Sequence, residues 1–142
     1  MPAPAFDATD TISLERTPCY GTCPAYVVTL RGDGEVAWVG TAFVDTERAS
    51  AKVDALKVRA LFDYAAANDF FGLRENYEIG VTDNPGMLMT IKTTRGSKSI
   101  RVYPSLRSFA KKTGAPAALY ELAKRIDALA GSKRYIGTGG AG

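Results

Sequence analysis

From Thr11 to Thr17 (TISLERT) apolar and polar positions alternate, with Ile12 and Leu14 on one side and Ser13 and Glu15 on the other. A period of two predicts a half-buried strand. The segment PCYGTCP, residues 18–24, has a proline at each end and Gly21 at its centre, so it breaks that strand into a turn. AYVVTLR (25–31) and EVAWVGTAFV (35–44) read as two further strands, and Gly32-Asp33-Gly34 between them is a hairpin signal. Gly40 inside the third strand marks a bulge or bend. Residues 45–53 are polar until Val53 and read as a loop or an irregular return to the sheet.

The period then changes. Asp54 stands where an N-cap belongs, and Val58, Leu61, Phe62 and Ala65 recur at i, i+3, i+4 and i+7, predicting a helix over about 55–68. Residues 72–85, with two glycines and Asn84-Pro85, read as a long loop holding at most one short strand near Tyr77 to Ile79. Strands follow at 86–94 and 98–103, joined by a turn at Arg95-Gly96-Ser97. Residues 104–115 form a connection with room for a short helical turn. Pro116 then opens a helix that carries Leu119, Leu122, Ile126 and Leu129 on one face and ends at Gly131.

Runs of strands set apart from runs of helices argue against a parallel, doubly wound sheet. The expectation is an α+β fold: a twisted antiparallel sheet of about five strands with two helices packed on one face. One domain is expected over 11–136, with a flexible lead at 1–10 and a flexible tail at 137–142.

Composition adds mostly exclusions. The chain of 142 residues has no histidine, so it cannot by itself build a Ser-His-Asp triad, a Cys-His pair or a histidine zinc site. Two cysteines do not make a four-cysteine zinc site, and no phosphate loop precedes a helix. No metal and no cofactor are expected. No stretch approaches the roughly 20 apolar residues that cross a bilayer. The opening MPAPAFDATD has neither the basic nor the apolar region of a signal peptide, which leaves a cytoplasmic protein or a mature segment with an added Met.

Charge is split along the chain. Residues 1–83 hold 13 of the 15 Asp/Glu and 7 of the 18 Lys/Arg, a net of −6, and the remainder carries +9. Either both sets are solvated surface, or a basic face meets an acidic partner. Lys92, Arg95, Lys98 and Arg101 lie on the last two strands and their turn, followed by Tyr103. The aromatic pattern of single-strand nucleic-acid binders is missing, so nucleic acid is not the expected partner.

Cys19 and Cys23 share one tight turn. In an extended strand their Cα atoms would stand about 13 Å apart, too far for a disulfide, whereas in a turn centred on Gly21 the gap falls to about 6 Å. Three readings stay open: a structural bridge, a reduced buried pair, or a redox-active pair. The C-x3-C spacing lacks the C-x2-C arrangement that lowers a thiolate pKa at a helix N-terminus.

The run from Ile12 to Gly40 resembles the opening of a bacterial domain family of unknown function. The family shares a segment of the form TPC-aromatic-G-x-CP-x-Y, here Thr17 through Tyr26, followed by a strand, a D-G turn (Asp33-Gly34) and a second strand. The likeness continues more loosely through Phe70-Phe71, Val81-Thr82-Asp83, the strand ending at Tyr103 and the last helix. The resemblance implies an extracytoplasmic location, periplasmic or secreted, and a Cys19–Cys23 disulfide.

The functional expectation is a non-enzymatic binding or interaction module for a protein or acidic partner. Its candidate contact residues are Tyr20, Gly21, Thr22, Asp83, Lys98, Arg101 and Tyr103. Two alternatives use other chemistry. One is a thiol-disulfide or thiol-sensing protein acting through Cys19 and Cys23. The other is a hydrolase using Glu75, Glu78 and Asp83 of the long loop.

Overall fold

The computed structural model describes residues 6–137. Strands β1 (Thr11–Arg16), β2 (Ala25–Arg31), β3 (Glu35–Ala42) and β4 (Arg48–Lys52) come first, followed by helix α1 (Ala55–Ala67). Strands β5 (Asn76–Glu78), β6 (Met87–Thr93) and β7 (Gly96–Tyr103) then precede α2 (Ala110–Thr113), α3 (Ala117–Ala130) and α4 (Ser132–Ile136). The strands form one sheet in the order β4-β3-β2-β1-β6-β7-β5. All neighbours are antiparallel except the edge pair β5 and β7, which is parallel.

Strand alternation puts one set of side chains on one face. Register aligns Leu14 with Val28 and Met89, Val28 with Trp38, and Met89 with Ile100, and all five are buried. On this face lie α1, through Val58, Leu61, Phe62 and Ala65, and α3, through Leu119, Leu122, Ala123 and Ile126. The opposite face carries Ser13, Thr29, Ser50, Thr90 and Ser99 in neighbouring register, with Thr90 and Ser99 hydroxyls 2.8 Å apart. The fold is thus two layers, helices on one side and an uncovered polar sheet face on the other.

Local chemistry explains the boundaries. The Asp54 carboxylate accepts the Leu56 N–H at 2.9 Å, which caps α1. Asp33 accepts the Glu35 N–H at 3.0 Å and binds the Arg31 guanidinium in the β2–β3 turn. That guanidinium, then the backbone donor, holds the Asp33 carboxyl down at about 2. Gly40 marks a bulge, as its position in the strand suggests: the pairing shifts so that Tyr26 faces Gly40 while Ala25 faces Ala42. The chain after β3 folds back tightly there, and a Cβ on Gly40 would stand 2.3 Å from Val44 Cγ2 and 2.5 Å from the Thr46 carbonyl oxygen.

The structure corrects the expected element count: seven strands and four helices stand where about five and two were expected. Strand β4 is the return to the sheet that residues 45–53 allow, and it shows no clear period because its inward positions, Ala49 and Ala51, are small and its outward ones, Arg48, Ser50 and Lys52, are polar. The short β5 was foreseen only as an option, and its parallel pairing was not. Helix α2, of 4 residues, is the short helical turn that the 104–115 connection allows, and α4, of 5 residues, is too short to show a helical period. Phe6 and Asp10, inside the segment read as a flexible lead, are buried, and the Phe6 ring stacks on Phe62 at 4.5 Å. The expected mobility of residues 1–5 and 138–142 lies outside the described residues.

Replacing Gly40 with alanine is expected to destabilise the fold by about 1–3 kcal/mol, because the methyl group has no room. Urea unfolding checks this, and an unchanged midpoint would show that the Val44–Thr46 return is free to move.

Candidate functional site at the cysteine turn

Strand β1 leaves the sheet at Thr17, and β2 re-enters at Ala25. Between them Cys19 and Cys23 are joined by a disulfide, with Cα atoms 5.6 Å apart. Gly21 takes φ 132°, a conformation that glycine adopts without steric cost. The turn lifts Tyr20 into solvent at 86% exposure, and Gly21 and Thr22 are exposed beside it.

A second segment lies against this turn. The Thr17 N–H donates to the Gly86 carbonyl at 3.0 Å, and the Gly86 N–H returns a bond to Thr17 Oγ1 at 2.9 Å. A Cβ on Gly86 would meet Thr17 Oγ1 at 2.9 Å and the Tyr103 ring at 3.1 Å. The Tyr20 N–H reaches the Asp83 carbonyl at 3.3 Å, and the Asn84 N–H reaches the Tyr103 hydroxyl at 3.3 Å. The Ile79 N–H donates to the Tyr103 carbonyl at 3.1 Å, and the Ser105 N–H to the Pro85 carbonyl at 2.8 Å. Residues 79–86 are therefore laced across the end of the sheet.

Five of the candidate contact residues, Tyr20, Gly21, Thr22, Asp83 and Tyr103, thus meet at one end. The other two do not join them. Lys98 pairs with Ile91 on the helix-covered face and donates to the Leu73 carbonyl. Arg101 lies on the opposite face and pairs with Glu78 at 3.5 Å. An odd spacing of three along a strand puts two side chains on opposite faces, so Lys98 and Arg101 cannot form one basic surface. Of the loop carboxylates, Glu78 is spent on Arg101, and Glu75 and Asp83 are exposed. Among the described residues, no group of three or more acidic or cysteine side chains is placed to hold a metal ion.

Sequence reasoning missed three members of this end: Phe43, Val81 and Leu106. Phe43 follows β3, Val81 follows β5 and Leu106 follows β7, and all three strands finish on the side where the cysteine turn stands. With Tyr20 they make four of the six exposed large hydrophobic side chains among the described residues. Strand spacing places them along about 25 Å of the sheet end. Phe43 and Asp83 also adopt left-handed backbone, φ 53° and 62°. For a bulky aromatic residue this conformation is uncommon and carries a steric cost.

Beneath the turn is a polar knot. The last register pair of β1 and β2 joins Arg16 to Tyr26, both on the helix face. The Arg16 guanidinium donates to Asp127 Oδ2 from Nη2 at 2.9 Å and from Nε at 3.1 Å. The Tyr26 hydroxyl donates to Asp127 Oδ1 at 2.9 Å, and the Ser132 hydroxyl to the same oxygen at 2.6 Å. Tyr26 stacks on Trp38 at 4.4 Å, and the Trp38 indole donates to the Thr46 carbonyl at 2.8 Å. Burial, then the Asp127 charge, pushes the Tyr26 phenol well above its ordinary range, with Arg16 acting the other way. Burial works against the Arg16 charge, but Asp127 and Tyr26 outweigh it and hold the guanidinium pKa above its usual value.

Two outcomes follow from the knot. Arg16→Ala is expected to cost about 2–3 kcal/mol in urea unfolding, below the full value for a buried pair because the two side chains are 30% and 21% exposed. The Tyr26 contribution has a pH signature. Its folded pKa lies above the unfolded one, so this stability is intact below about pH 10 and is lost as the pH rises further. Tyr26→Phe should therefore be less stable than the parent at neutral pH and lose less stability above pH 10. Parallel slopes above that pH would contradict the assignment.

No curated protein matches the chain in sequence. One family model does, across residues 10–130, which takes in the whole sheet, the cysteine turn, Asp83, Tyr103 and Asp127. The chain belongs to the family described as Domain of unknown function (DUF6438).

Proposed function

We propose that the chain is a binding module that acts outside the cytoplasm of a bacterium and meets a protein partner with the cysteine-turn end of its sheet. The observation that carries this is the gathering of Tyr20, Phe43, Val81 and Leu106 at that end, four of the six exposed large hydrophobic side chains among the described residues, with only Leu56 and Phe71 exposed elsewhere. Exposed apolar and aromatic clusters mark protein contact sites, and aromatic residues dominate their energetics. The left-handed backbone of Phe43 supports the reading, because strained positions gather where function keeps them.

An acidic partner held by a basic strand pair has less support, since Lys98 and Arg101 face opposite ways. The disulfide acts as a staple that fixes the shape of the turn and holds Tyr20 at its tip. A bridge over so short a loop contributes about 2 kcal/mol by loop entropy. Among the described residues no helix is long and apolar enough to cross a membrane.

The surface is tested by placing a photo-crosslinking residue at 20 or 106, and at 92 on the far part of the uncovered sheet face, in cells. One partner band should form from 20 and 106 and not from 92, and Phe43→Gly should weaken it. Phe43→Gly should not lower the unfolding midpoint, because glycine removes the backbone strain. Equal crosslinking from all three positions would sink the surface assignment. Location and staple are tested by alkylating protein taken directly from cells. No thiol should react before reduction and both cysteines after it; free thiols before reduction would remove the extracytoplasmic reading and favour the thiol-based alternative.

A further inference from the structure

The lateral edge of the sheet at β4 is open. The Val53 N–H donates to the Gly34 carbonyl and the Gly40 N–H to the Glu47 carbonyl, both at 2.8 Å. These two bonds fix which backbone groups of β4 face β3, because bonded pairs recur at every second residue of an antiparallel ladder. Ala49 opposite Trp38 and Ala51 opposite Val36 are the bonded pairs between them. The N–H and C=O groups of Arg48, Ser50 and Lys52 therefore turn the other way, out of the sheet. Strand β4 is the last on that side, and among the described residues none of these groups has a hydrogen-bond partner. All three residues are exposed.

The side chains along this edge are sorted by face. Arg48, Ser50 and Lys52 stand opposite Val39, Ala37 and Glu35 on the uncovered face. Glu35 is the one acid among those six residues, and it reaches Lys52 only at 3.7 Å, with the two side chains 48% and 68% exposed. Arg48 forms no ion pair among the described residues. On the helix face Ala49 and Ala51 are small and half-buried. Val53 continues their column and lines a groove between α1 and α3 with Leu61 and Leu129.

We propose that this edge takes up an extended segment of a protein partner as one more strand, antiparallel to β4. The outward N–H and C=O groups of Arg48, Ser50 and Lys52 would bond its main chain. Its side chains on the uncovered face would be acidic, to meet Arg48 and Lys52. Those on the helix face would be apolar, to cover Ala49, Ala51 and Val53. A second copy of this chain is a poor occupant. Antiparallel pairing of two β4 strands about Ser50 would set Arg48 of each chain against Lys52 of the other, and like charges directly opposite are destabilising. Cations on an edge strand guard it against unselective pairing, and here they make it selective for an acidic strand. This lateral edge is distinct from the strand ends at the cysteine turn and does not rest on the reading of that surface.

The probe is an acetylated and amidated peptide, Ser-Glu-Val-Thr-Val-Glu-Ser, added to labelled protein and followed through backbone amide shifts and amide hydrogen exchange. Saturable shifts are expected from Glu47 to Val53. Exchange should slow more at Arg48, Ser50 and Lys52 than at Ala49 and Ala51, whose N–H groups are already bonded to β3. A peptide with lysine in place of both glutamates should bind at least about tenfold more weakly. N-methylation of the threonine, which faces Ser50 and turns its N–H toward β4, should abolish binding. N-methylation of a valine, whose N–H turns away, should not. Arg48→Glu combined with Lys52→Glu should reverse the preference and favour the lysine peptide. Ser50→Pro should lose the glutamate peptide in a protein that still folds, because the N–H it removes makes no bond in the sheet. If Ser50→Pro does not fold, the charge reversal decides. The site is overturned by any of three results: no saturable shifts with the glutamate peptide, equal affinity for the lysine peptide, or exchange slowed no more at Arg48, Ser50 and Lys52 than at Ala49 and Ala51.

Discussion

One carboxylate, Asp127, ties the helical layer to the sheet at the point where the sheet gives rise to its most exposed turn. It accepts from Arg16, Tyr26 and Ser132 and so joins β1, β2, α3 and the start of α4. A carboxylate in the last turn of a helix is disfavoured by the helix dipole. Here the guanidinium opposite it reverses that balance, and α3 still ends normally at Gly131, which has φ 72°. The knot sits directly under the cysteine turn, because Arg16 and Tyr26 are the last paired residues before the chain leaves the sheet. Tyr26 passes the restraint sideways to Trp38, and Trp38 to the Thr46 carbonyl and the ring of Tyr135.

Two ends of one sheet are therefore built differently. At the cysteine end, the disulfide, the reciprocal Thr17–Gly86 bonds and the polar knot hold a broad apolar rim in place. Preorganisation of this kind reduces the ordering cost of association. At the hairpin end, the chain before β1 tucks under Gly32, where a Cβ would stand 2.2 Å from the Asp7 carbonyl oxygen, and this tuck buries Asp10.

The fold was legible wherever side-chain period was strong. The alternation of Ile12 and Leu14 gave β1, and Val58, Leu61, Phe62 and Ala65 gave α1 with its Asp54 cap. It was illegible where inward positions were alanines, as in β4, or where a strand was three residues long, as in β5. The candidate site was half legible. Prolines, glycine and cysteines announced the turn around Tyr20. The grouping of Phe43, Val81 and Leu106 depends on which strand ends lie together, and sequence order does not state that. The Arg16–Asp127 pair spans 111 residues, so no local pattern could signal it. The separation of Lys98 from Arg101, in contrast, was available from strand parity alone.

The central claim is that the cysteine-turn surface is held from below by Asp127. Native-state hydrogen exchange on Asp127→Ala, compared with the parent, tests it most directly. The account predicts a loss of protection of about tenfold or more concentrated at the amides of Thr17, Tyr20 and Gly86, beyond any uniform change from lower global stability. A uniform change across β6, β7 and α1 as well, with no excess at those three amides, would contradict it.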